Sequence, residues 1–139
     1  MNHKPILLVE DNPDDEDLTL RCFKRCNMRN EIVVAHDGAE ALELLHGASA
    51  RLSPAVVLLD IKLPKIDGLD VLKRIRADAR TRLLPVVVLT SSSQESDILA
   101  SYDLGANSYV QKPVRMDKLT LAIAQLGLYW TIVNLAPEH

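Results

Sequence analysis

Short apolar runs alternate along this chain with amphipathic stretches, and this alternation constrains the fold more than any other feature. Strand-length runs between segments of helical period are typical of repeated strand–helix–strand units and a parallel sheet. The run at 56–59, Val-Val-Leu-Leu, is continuously apolar, as expected for a strand covered by helices on both faces. The sequence therefore predicts an α/β fold with a doubly wound, five-stranded parallel sheet. We expect strands at 6–10, 31–35, 55–60, 86–90 and 108–111.

Five helices are predicted to fill the gaps between these strands and to close the chain. The acids that follow Pro13 suit the positive end of a helix dipole, and Gly47 is the kind of residue that ends a helix. No repeat or linker divides the sequence, so we expect one domain over residues 1–139. The predicted helices run from about 14 to 28, from 39 to Gly47, onward from Gly68, from 94 to 104 and from 116 to 134.

The composition argues against several classes of function. The chain has 16 Lys and Arg against 19 Asp and Glu, a net charge of −3, and no basic run stands out. With one Trp, three Tyr and one Phe, aromatic platforms for stacking bases are scarce. We therefore expect no nucleic acid partner.

Three further features bear on location and redox chemistry. The first five residues lead directly into an apolar run followed by acids, which is wrong for a signal peptide. The last predicted helix carries Thr, Gln and Asn, and it is shorter than the ~20 apolar residues of a membrane span. Cys22 and Cys26 lack the further Cys or His of a zinc site. We expect a cytoplasmic protein with no membrane partner.

Several of the predicted strands end on residues that can take part in chemistry. Glu10 and Asp11 follow the first strand, Asp60 ends the third, Thr90 ends the fourth and Lys112 follows the fifth. Ligands of open parallel sheets bind outside the carboxyl ends of the strands, so these side chains should meet at one edge. Neighbouring carboxylates repel unless protons or a cation compensate them, and Mg²⁺ is a suitable cation because it prefers oxygen ligands.

This set of residues can carry a phosphoryl group. Asp60 is placed to act as a nucleophile toward phosphorus, although an Asp at a strand end can also serve only as a turn or capping residue. Thr90 supplies a hydroxyl, and Lys112 supplies a positive charge that can pair with carboxylates or phosphate. The chain has no glycine-rich phosphate loop, so the donor should be another protein or a small phosphodonor.

Two neighbouring features receive structural interpretations. The acids from Asp14 to Asp17 are interpreted as a solvated helix start, since blocks of like charge are usually solvated. The bond from Lys112 to Pro113 is a candidate cis peptide, because X-Pro bonds pay only about 0.5–1 kcal/mol for the cis form.

Four motifs together resemble the receiver domain of two-component response regulators. They are Leu-Leu-Val-Glu-Asp-Asn at 7–12, Leu-Leu-Asp-Ile-Lys-Leu-Pro-Lys-Ile-Asp-Gly at 58–68, Val-Val-Leu-Thr-Ser-Ser at 87–92 and Gly-Ala-Asn-Ser-Tyr-Val-Gln-Lys-Pro-Val at 105–114. The resemblance spans nearly the whole chain. It implies a flavodoxin-like fold with strand order 2-1-3-4-5.

The resemblance also implies a role for each site residue. Asp60 would accept a phosphoryl group from a sensor histidine kinase, and Thr90 and Lys112 would contact that group. Tyr109 matches the aromatic residue that turns inward when receiver domains switch. The implied Mg²⁺ ligands, direct or through water, are Glu10, Asp11, Asp60 and the backbone carbonyl of Lys62. Glu10 stands where many members have Asp, and Leu63 where Met is common.

The end of the sequence suggests how the signal is passed on. Only about 26 residues follow Pro113, too few for an output domain, so the output should be contact with a downstream or phosphotransfer protein. The Gly-Leu-Tyr-Trp stretch at 127–130 resembles stand-alone regulators of bacterial phytochrome kinases. A second apolar stripe on the last helix predicts a homodimer or kinase-docking surface. The predicted surface comprises Tyr109, Leu121, Leu128, Trp130 and Ile132.

Two alternatives remain open from the sequence. The first is a protein-interaction module of the same fold that works without phosphorylation. The second is a phosphatase with a phosphoaspartate intermediate, similar to dehalogenase-like enzymes, but those need an Asp where this chain has Lys62. The main prediction is a phosphorylated signalling protein rather than an enzyme.

Overall fold

The sheet is parallel throughout and has five strands. A computed structural model of the protein describes residues 4–25, 30–48, 52–91, 95–112 and 115–125. The strands are β1 (Ile6–Val9), β2 (Ile32–Ala35), β3 (Val56–Asp60), β4 (Val86–Thr90) and β5 (Ser108–Gln111). Their order in the sheet is β2-β1-β3-β4-β5, which confirms the predicted flavodoxin-like topology.

Five helices connect or follow the strands. They are α1 (Pro13–Arg25), α2 (Gly38–His46), α3 (Gly68–Ala77), α4 (Glu95–Asp103) and α5 (Met116–Gln125). The continuation of α5 predicted to reach 134 lies outside the described residues, as does the predicted end of α1 at 28. Among the described residues, no helix has both the length and the apolar character needed to cross a membrane.

Side chains that accept hydrogen bonds from the first backbone N–H groups begin three of these helices. Asn12 Oδ1 accepts from Asp14 and Asp15 N–H at 2.9 and 3.1 Å, so α1 starts at Pro13, where proline is well tolerated. Asp37 accepts from Glu40 N–H at the start of α2, and Asp67 accepts from Gly68 N–H at the start of α3. These capping side chains fix where each helix begins.

The sheet separates two apolar cores because side chains alternate between its faces. Ile6, Leu8, Leu58 and Leu89 belong to one core with Phe23 of α1 and Leu119 of α5. The other core contains residues of α2 and α3, and its sheet members include Leu7, Val57, Leu59 and Val88. Because both faces of β1, β3 and β4 are buried, the polar residues that follow these strands emerge at a fixed edge.

Candidate functional site

The register of the sheet brings the polar strand ends together. Val9 pairs with Leu59, so Glu10 and Asp60 follow on neighbouring strands, and Asp60 itself pairs with Leu89. The Lys112 N–H donates to the Thr90 carbonyl oxygen at 2.8 Å, which places Lys112 beside the end of β4. The carboxyl edge of the sheet therefore gathers the strand-end residues predicted from the sequence.

Lys112 is the centre of this cluster. Its Nζ lies 2.8 Å from Asp60 Oδ2, 2.9 Å from Asp15 Oδ2 and 2.5 Å from Glu10 Oε1, and its side chain is only 8% exposed. Burial by itself would lower the pKa of Lys112, but the contacts with Asp60, Glu10 and Asp15 outweigh burial and raise it above 10.5. The amine is therefore a fixed positive charge between three carboxylates.

Glu10 is fully buried, and burial disfavours the ionised form of its carboxyl group. Burial is the main cause that raises its pKa from 4.5 to about 7; Lys112 opposes this rise, and Asp60 adds to it. Its Oε2 accepts a long hydrogen bond of 3.3 Å from Asn12 N–H. Its Oε1 contacts Lys112 Nζ as an ion pair but lacks a partner with acceptable hydrogen-bond geometry. A second cation near Oε1 would stabilise the ionised carboxylate and give this oxygen atom a partner.

Three carboxylates at this edge lie close enough together to share one divalent metal ion. Oxygen atoms of Glu10, Asp11 and Asp60 lie within 4.8 Å of one another, and Asp11 is the exposed member. Oxygen-only ligands suit hard cations such as Mg²⁺, which usually takes one or two carboxylates and keeps several waters. The buried Glu10 Oε1 without a well-oriented hydrogen bond is a further indication that the site fits a cation.

The carboxylate of Asp60 is held by contacts with both of its oxygens. Lys62 N–H donates to Oδ1 at 2.9 Å, and Lys112 Nζ donates to Oδ2 at 2.8 Å. The backbone behind it is tightly packed, because a Cβ at Gly68 would lie 2.3 Å from the Asp60 carbonyl oxygen. Only glycine allows this approach of α3 to the end of β3, which explains the glycine at position 68.

The loop between β3 and α3 is also tied to α2. Lys65 has a positive φ of 65°, and its Nζ lies 3.2 Å from Oδ2 of Asp37, the N-cap of α2. This loop carries Lys62, whose carbonyl was predicted as a metal ligand. The Asp37–Lys65 contact therefore joins the acceptor loop to the neighbouring helix.

Thr90 and Tyr109 occupy different surroundings. Thr90 is fully buried at the end of β4, next to the strand that leads to Lys112. Tyr109 is half-buried on β5 and borders a cleft of about 420 Å³ that Lys112, Arg115, Lys118 and Leu121 also line. Leu121 is 55% exposed there. The other predicted members of this surface, Leu128, Trp130 and Ile132, lie outside the described residues, as does Pro113 of the candidate cis peptide.

The acids from Asp14 to Asp17 lie at the start of α1, as predicted, but the expectation that all of them are merely solvated is wrong for Asp15. Asp15 contacts Lys112 at 2.9 Å and joins the site, whereas Asp14 is exposed and Asp17 pairs with Arg21 on the surface. Glu16 also has a partner, since His36 Nε2 lies 2.9 Å from its Oε1. The sequence pattern did not distinguish Asp15 from its acidic neighbours, because all four acids lie in one run.

Comparison with known proteins identifies the family. The family model for the response regulator receiver domain matches residues 6–124. The chain belongs to the response regulator receiver family. Receiver domains accept phosphoryl groups from histidine kinases and relay the signal to partner proteins, and they bind a divalent metal in the acidic pocket. They are signalling proteins rather than classical enzymes.

Three similar proteins show how much of a receiver domain is shared. The bacteriophytochrome response regulator AtBRR has 48% identity and a TM-score of 0.83, over 96% of this chain and 99% of that structure. The probable methanogenesis regulatory protein FilR2 of Methanothrix harundinacea is 40% identical, over 95% of this chain and 86% of that protein. Response regulator Rcp1 of Synechocystis sp. is 35% identical, over 91% of this chain and 88% of that protein.

The structure of Rcp1 in its Mn²⁺-bound form matches this receiver domain with a TM-score of 0.75 and 34% identity, over 92% of this chain and 94% of that structure. Together the comparisons make the chain a homologue of phytochrome response regulators. The similar proteins also include FilR2, whose name refers to the regulation of methanogenesis and not to a phytochrome.

Proposed function

We propose that this receiver domain is phosphorylated on Asp60 by a histidine kinase in a Mg²⁺-dependent reaction, and that it signals to a partner protein through a conformational switch. The observation that best supports the proposal is the set of contacts around the Asp60 carboxylate. Its carboxylate is buried at a strand end, fixed by Lys62 N–H and Lys112 Nζ, and it lies beside two further carboxylates that suit a metal.

Each step of the transfer has a residue that supports it. An Asp60 carboxylate oxygen forms the new bond to phosphorus while the bond between phosphorus and the donor's leaving group breaks, which gives an acyl phosphate. Phosphoryl transfer depends mostly on positioning and charge neutralisation. Lys112 supplies positive charge beside Asp60. Mg²⁺ held by Glu10, Asp11, Asp60 and the Lys62 carbonyl would supply the remaining positive charge.

Thr90 and Tyr109 are the proposed switch residues. Thr90 ends the strand beside Asp60, so its hydroxyl is placed to meet a phosphoryl oxygen after a small movement. Tyr109 pairs with Val88 on the same strand as Thr90 and borders the cleft on the β5–α5 face. A movement of Thr90 toward the phosphoryl group would leave room for Tyr109 to turn inward. The cleft surface would then report the state of Asp60.

The direct test is phosphorylation by a small donor. We expect acetyl phosphate with Mg²⁺ to add the mass of one phosphoryl group to the intact protein, and EDTA to prevent it. Asp60→Asn should abolish the adduct, whereas the control Asp17→Asn, at an exposed acid, should keep it. An adduct that persists in Asp60→Asn, or its absence in the wild type, contradicts the proposal.

The metal itself can be tested by the same reaction. Mg²⁺ and Mn²⁺ should both support phosphorylation, since both accept octahedral oxygen ligands. Asp11→Asn should raise the Mg²⁺ concentration needed for half-maximal rate more than tenfold, because it removes the exposed carboxylate of the cluster. An unchanged Mg²⁺ requirement in Asp11→Asn would remove Asp11 from the ligand set.

We propose a bacteriophytochrome histidine kinase as the phosphoryl donor in the cytoplasm. The support is the similarity to AtBRR and Rcp1, together with the Gly-Leu-Tyr-Trp stretch at 127–130. Phosphotransfer from purified histidine kinases of the host, compared at short times, tests this choice. Preferred transfer from a kinase without a phytochrome module would contradict it.

We further propose that the protein forms a homodimer through the β5–α5 face. Leu121 is exposed beside the cleft that Tyr109 borders, as expected for a surface that another chain covers. Light scattering across concentrations, with and without phosphodonor, should show twice the monomer mass. Leu121→Glu should lower the dimer fraction, and Leu83→Glu, at an exposed leucine away from this face, is the matched control. A monomer at all concentrations would contradict the dimer.

The two alternatives from the sequence have less support. A phosphatase of the dehalogenase type needs an acid two residues after the acceptor, where Lys62 instead donates its backbone N–H to Asp60. We therefore propose no catalytic activity beyond self-catalysed phosphorylation and dephosphorylation. A phosphorylation-independent module would bind its partner equally well as wild type and as Asp60→Asn, with and without phosphodonor.

A further inference from the structure

Asp15 stands out because it contacts the site without belonging to the metal cluster or the acceptor. It lies in the first turn of α1, and its Oδ2 is 2.9 Å from Lys112 Nζ, a contact between residues 97 positions apart. The turn that presents it is well fixed: Asn12 Oδ1 accepts from Asp15 N–H, and Thr19 Oγ1 donates to the Asp15 carbonyl oxygen at 2.9 Å. The position of Asp15 is therefore set by the start of the helix.

The ammonium group of Lys112 is surrounded by carboxylates in this arrangement. An ammonium group has three N–H donors. Three carboxylates surround Nζ: it donates hydrogen bonds to Asp15 and Asp60, and it contacts Glu10 Oε1 as an ion pair. A phosphoryl group arriving at Asp60 brings new oxygen acceptors that also require Lys112. These acceptors compete with the two hydrogen bonds that Nζ already donates.

Asp15 is the acceptor that can leave most easily. Its side chain is 34% exposed, whereas those of Glu10 and Asp60 are 0% and 7% exposed. Water can replace Lys112 at an exposed carboxylate at little cost, but it cannot reach a buried one as readily. Asp15 also places a negative charge at the outer side of the cluster, where an anionic phosphodonor must approach.

We propose that Asp15 is a positioning residue that competes with the incoming phosphoryl group for Lys112, and so limits phosphorylation by small anionic donors. The inference rests on the proposed phosphorylation of Asp60. It adds a residue of α1 to the reaction, one that makes no bond to phosphorus or metal. Its effect should appear in the donor concentration needed for half-maximal rate, because release of Lys112 precedes the transfer itself.

Kinetics of phosphorylation by acetyl phosphate at fixed Mg²⁺ test this inference. We expect Asp15→Asn to lower the half-saturating concentration of acetyl phosphate about threefold to fivefold, on the scale of a partly exposed ion pair, with little change in the maximal rate. Asp15→Glu keeps the charge and should stay near the wild type. Asp14→Asn removes the same charge from the same helical turn at an exposed position, and it should change the half-saturating concentration less than twofold.

Each other outcome has a defined meaning. Equal behaviour of Asp15→Asn and Asp14→Asn overturns the inference, because only general charge would then matter. A higher half-saturating concentration, or an effect confined to the maximal rate, also overturns it, because Asp15 would then hold Lys112 in a productive place. Unchanged thermal unfolding of Asp15→Asn excludes a loss of folding as the cause. A wild-type protein that forms no adduct overturns the proposed function and this inference together.

Discussion

Lys112 and Arg76 are two cations at opposite ends of the same sheet, and they differ in the charge of their partners. Lys112, at the carboxyl edge, contacts the carboxylates of Glu10, Asp15 and Asp60. Arg76, near the end of α3, donates to uncharged oxygens near the amino ends of β4 and β5. Its acceptors are the carbonyls of Arg82, Leu84 and Gly105 and the side chain of Asn107, at 2.7–3.1 Å.

The two kinds of partner give the two ends of the sheet different roles. We call the carboxyl edge around Lys112 the changeable end and the region around Arg76 the fixed end. Carboxylates can bind protons or metal, and the proposed acceptor Asp60 can form an acyl phosphate, so the partners of Lys112 can change. Carbonyl and amide oxygens neither take up protons near neutral pH nor accept a phosphoryl group. Asn107 Oδ1 even accepts a second bond, from Val86 N–H at 2.8 Å, which ties β4 to the start of β5. The contacts of Arg76 therefore stabilise the amino ends of β4 and β5, whereas the contacts of Lys112 can change when metal or a phosphoryl group binds.

The largest expected effect comes from removing the cation at the changeable end. Lys112→Met should lower the free energy of unfolding in EDTA by about 4 kcal/mol, since it leaves buried carboxylates without their partner. Saturating Mg²⁺ should restore much of this loss, because the metal compensates the same charges. Urea unfolding in EDTA and in Mg²⁺ measures both values. Lys118→Met, at an exposed lysine of α5, is the control. Equal stabilisation of Lys112→Met and wild type by Mg²⁺ would contradict the comparison.

Removing the cation at the fixed end should have a somewhat smaller effect that metal cannot reverse. Arg76→Ala should cost about 3 kcal/mol in the free energy of unfolding, because several oxygens lose a charged donor. Arg74→Ala, at an exposed position of the same helix, should cost less than about 0.5 kcal/mol. Phosphorylation by acetyl phosphate should persist below the unfolding transition. Recovery of Arg76→Ala by Mg²⁺ would remove the distinction between the two ends.

A pH series in the absence of metal gives a third, smaller effect. The pKa of Glu10 in the folded protein is about 7, above its ordinary value of 4.5, so the folded protein binds more protons between these values than the unfolded chain. The Glu10 contribution to stability is therefore fully present below about pH 4.5 and is lost as the pH rises through about 7. In EDTA, Glu10→Gln should be more stable than wild type by about 2 kcal/mol at pH 8 and similar to it at pH 4.5.

Urea unfolding of the two proteins from pH 4.5 to 8 measures this difference, and Glu31→Gln, at an exposed acid, is the control. Mg²⁺ should remove most of the difference at pH 8, because the metal favours the ionised carboxylate. A difference that is constant across this range, or one that favours wild type at pH 8, would show that Glu10 does not carry a raised pKa.

The fold was predictable because it depends on short-range patterns. The boundaries of β4 and β5 agree with those expected from the sequence, and β1 to β3 are each one residue shorter at an end. Parallel pairing then brings all carboxyl ends to one edge, so the proximity of Glu10, Asp60 and Lys112 follows from topology. The roles of these residues in phosphorylation remain predictions that the experiments above test.

The contacts of Asp15 and Arg76 were not predictable in the same way. Asp15 meets Lys112 only because α1 starts at Pro13 and its first turn lies over the edge of the sheet. The pattern of acids at 14–17 does not reveal which of them faces inward. Arg76 binds backbone carbonyls, and carbonyls have no sequence signature. Both contacts depend on how helices lie against the sheet, which periodicity alone leaves open.

The central question for this receiver domain is which residue carries the phosphoryl group. Borohydride reduces an acyl phosphate to an alcohol, so treatment of the phosphorylated protein should convert the acceptor Asp to homoserine. Peptide mass spectrometry should find homoserine at position 60, only after incubation with acetyl phosphate and Mg²⁺, and not in Asp60→Asn. Homoserine at position 11 or 15, or at no position despite a phosphoryl adduct on the intact protein, would contradict the assignment of Asp60 as acceptor.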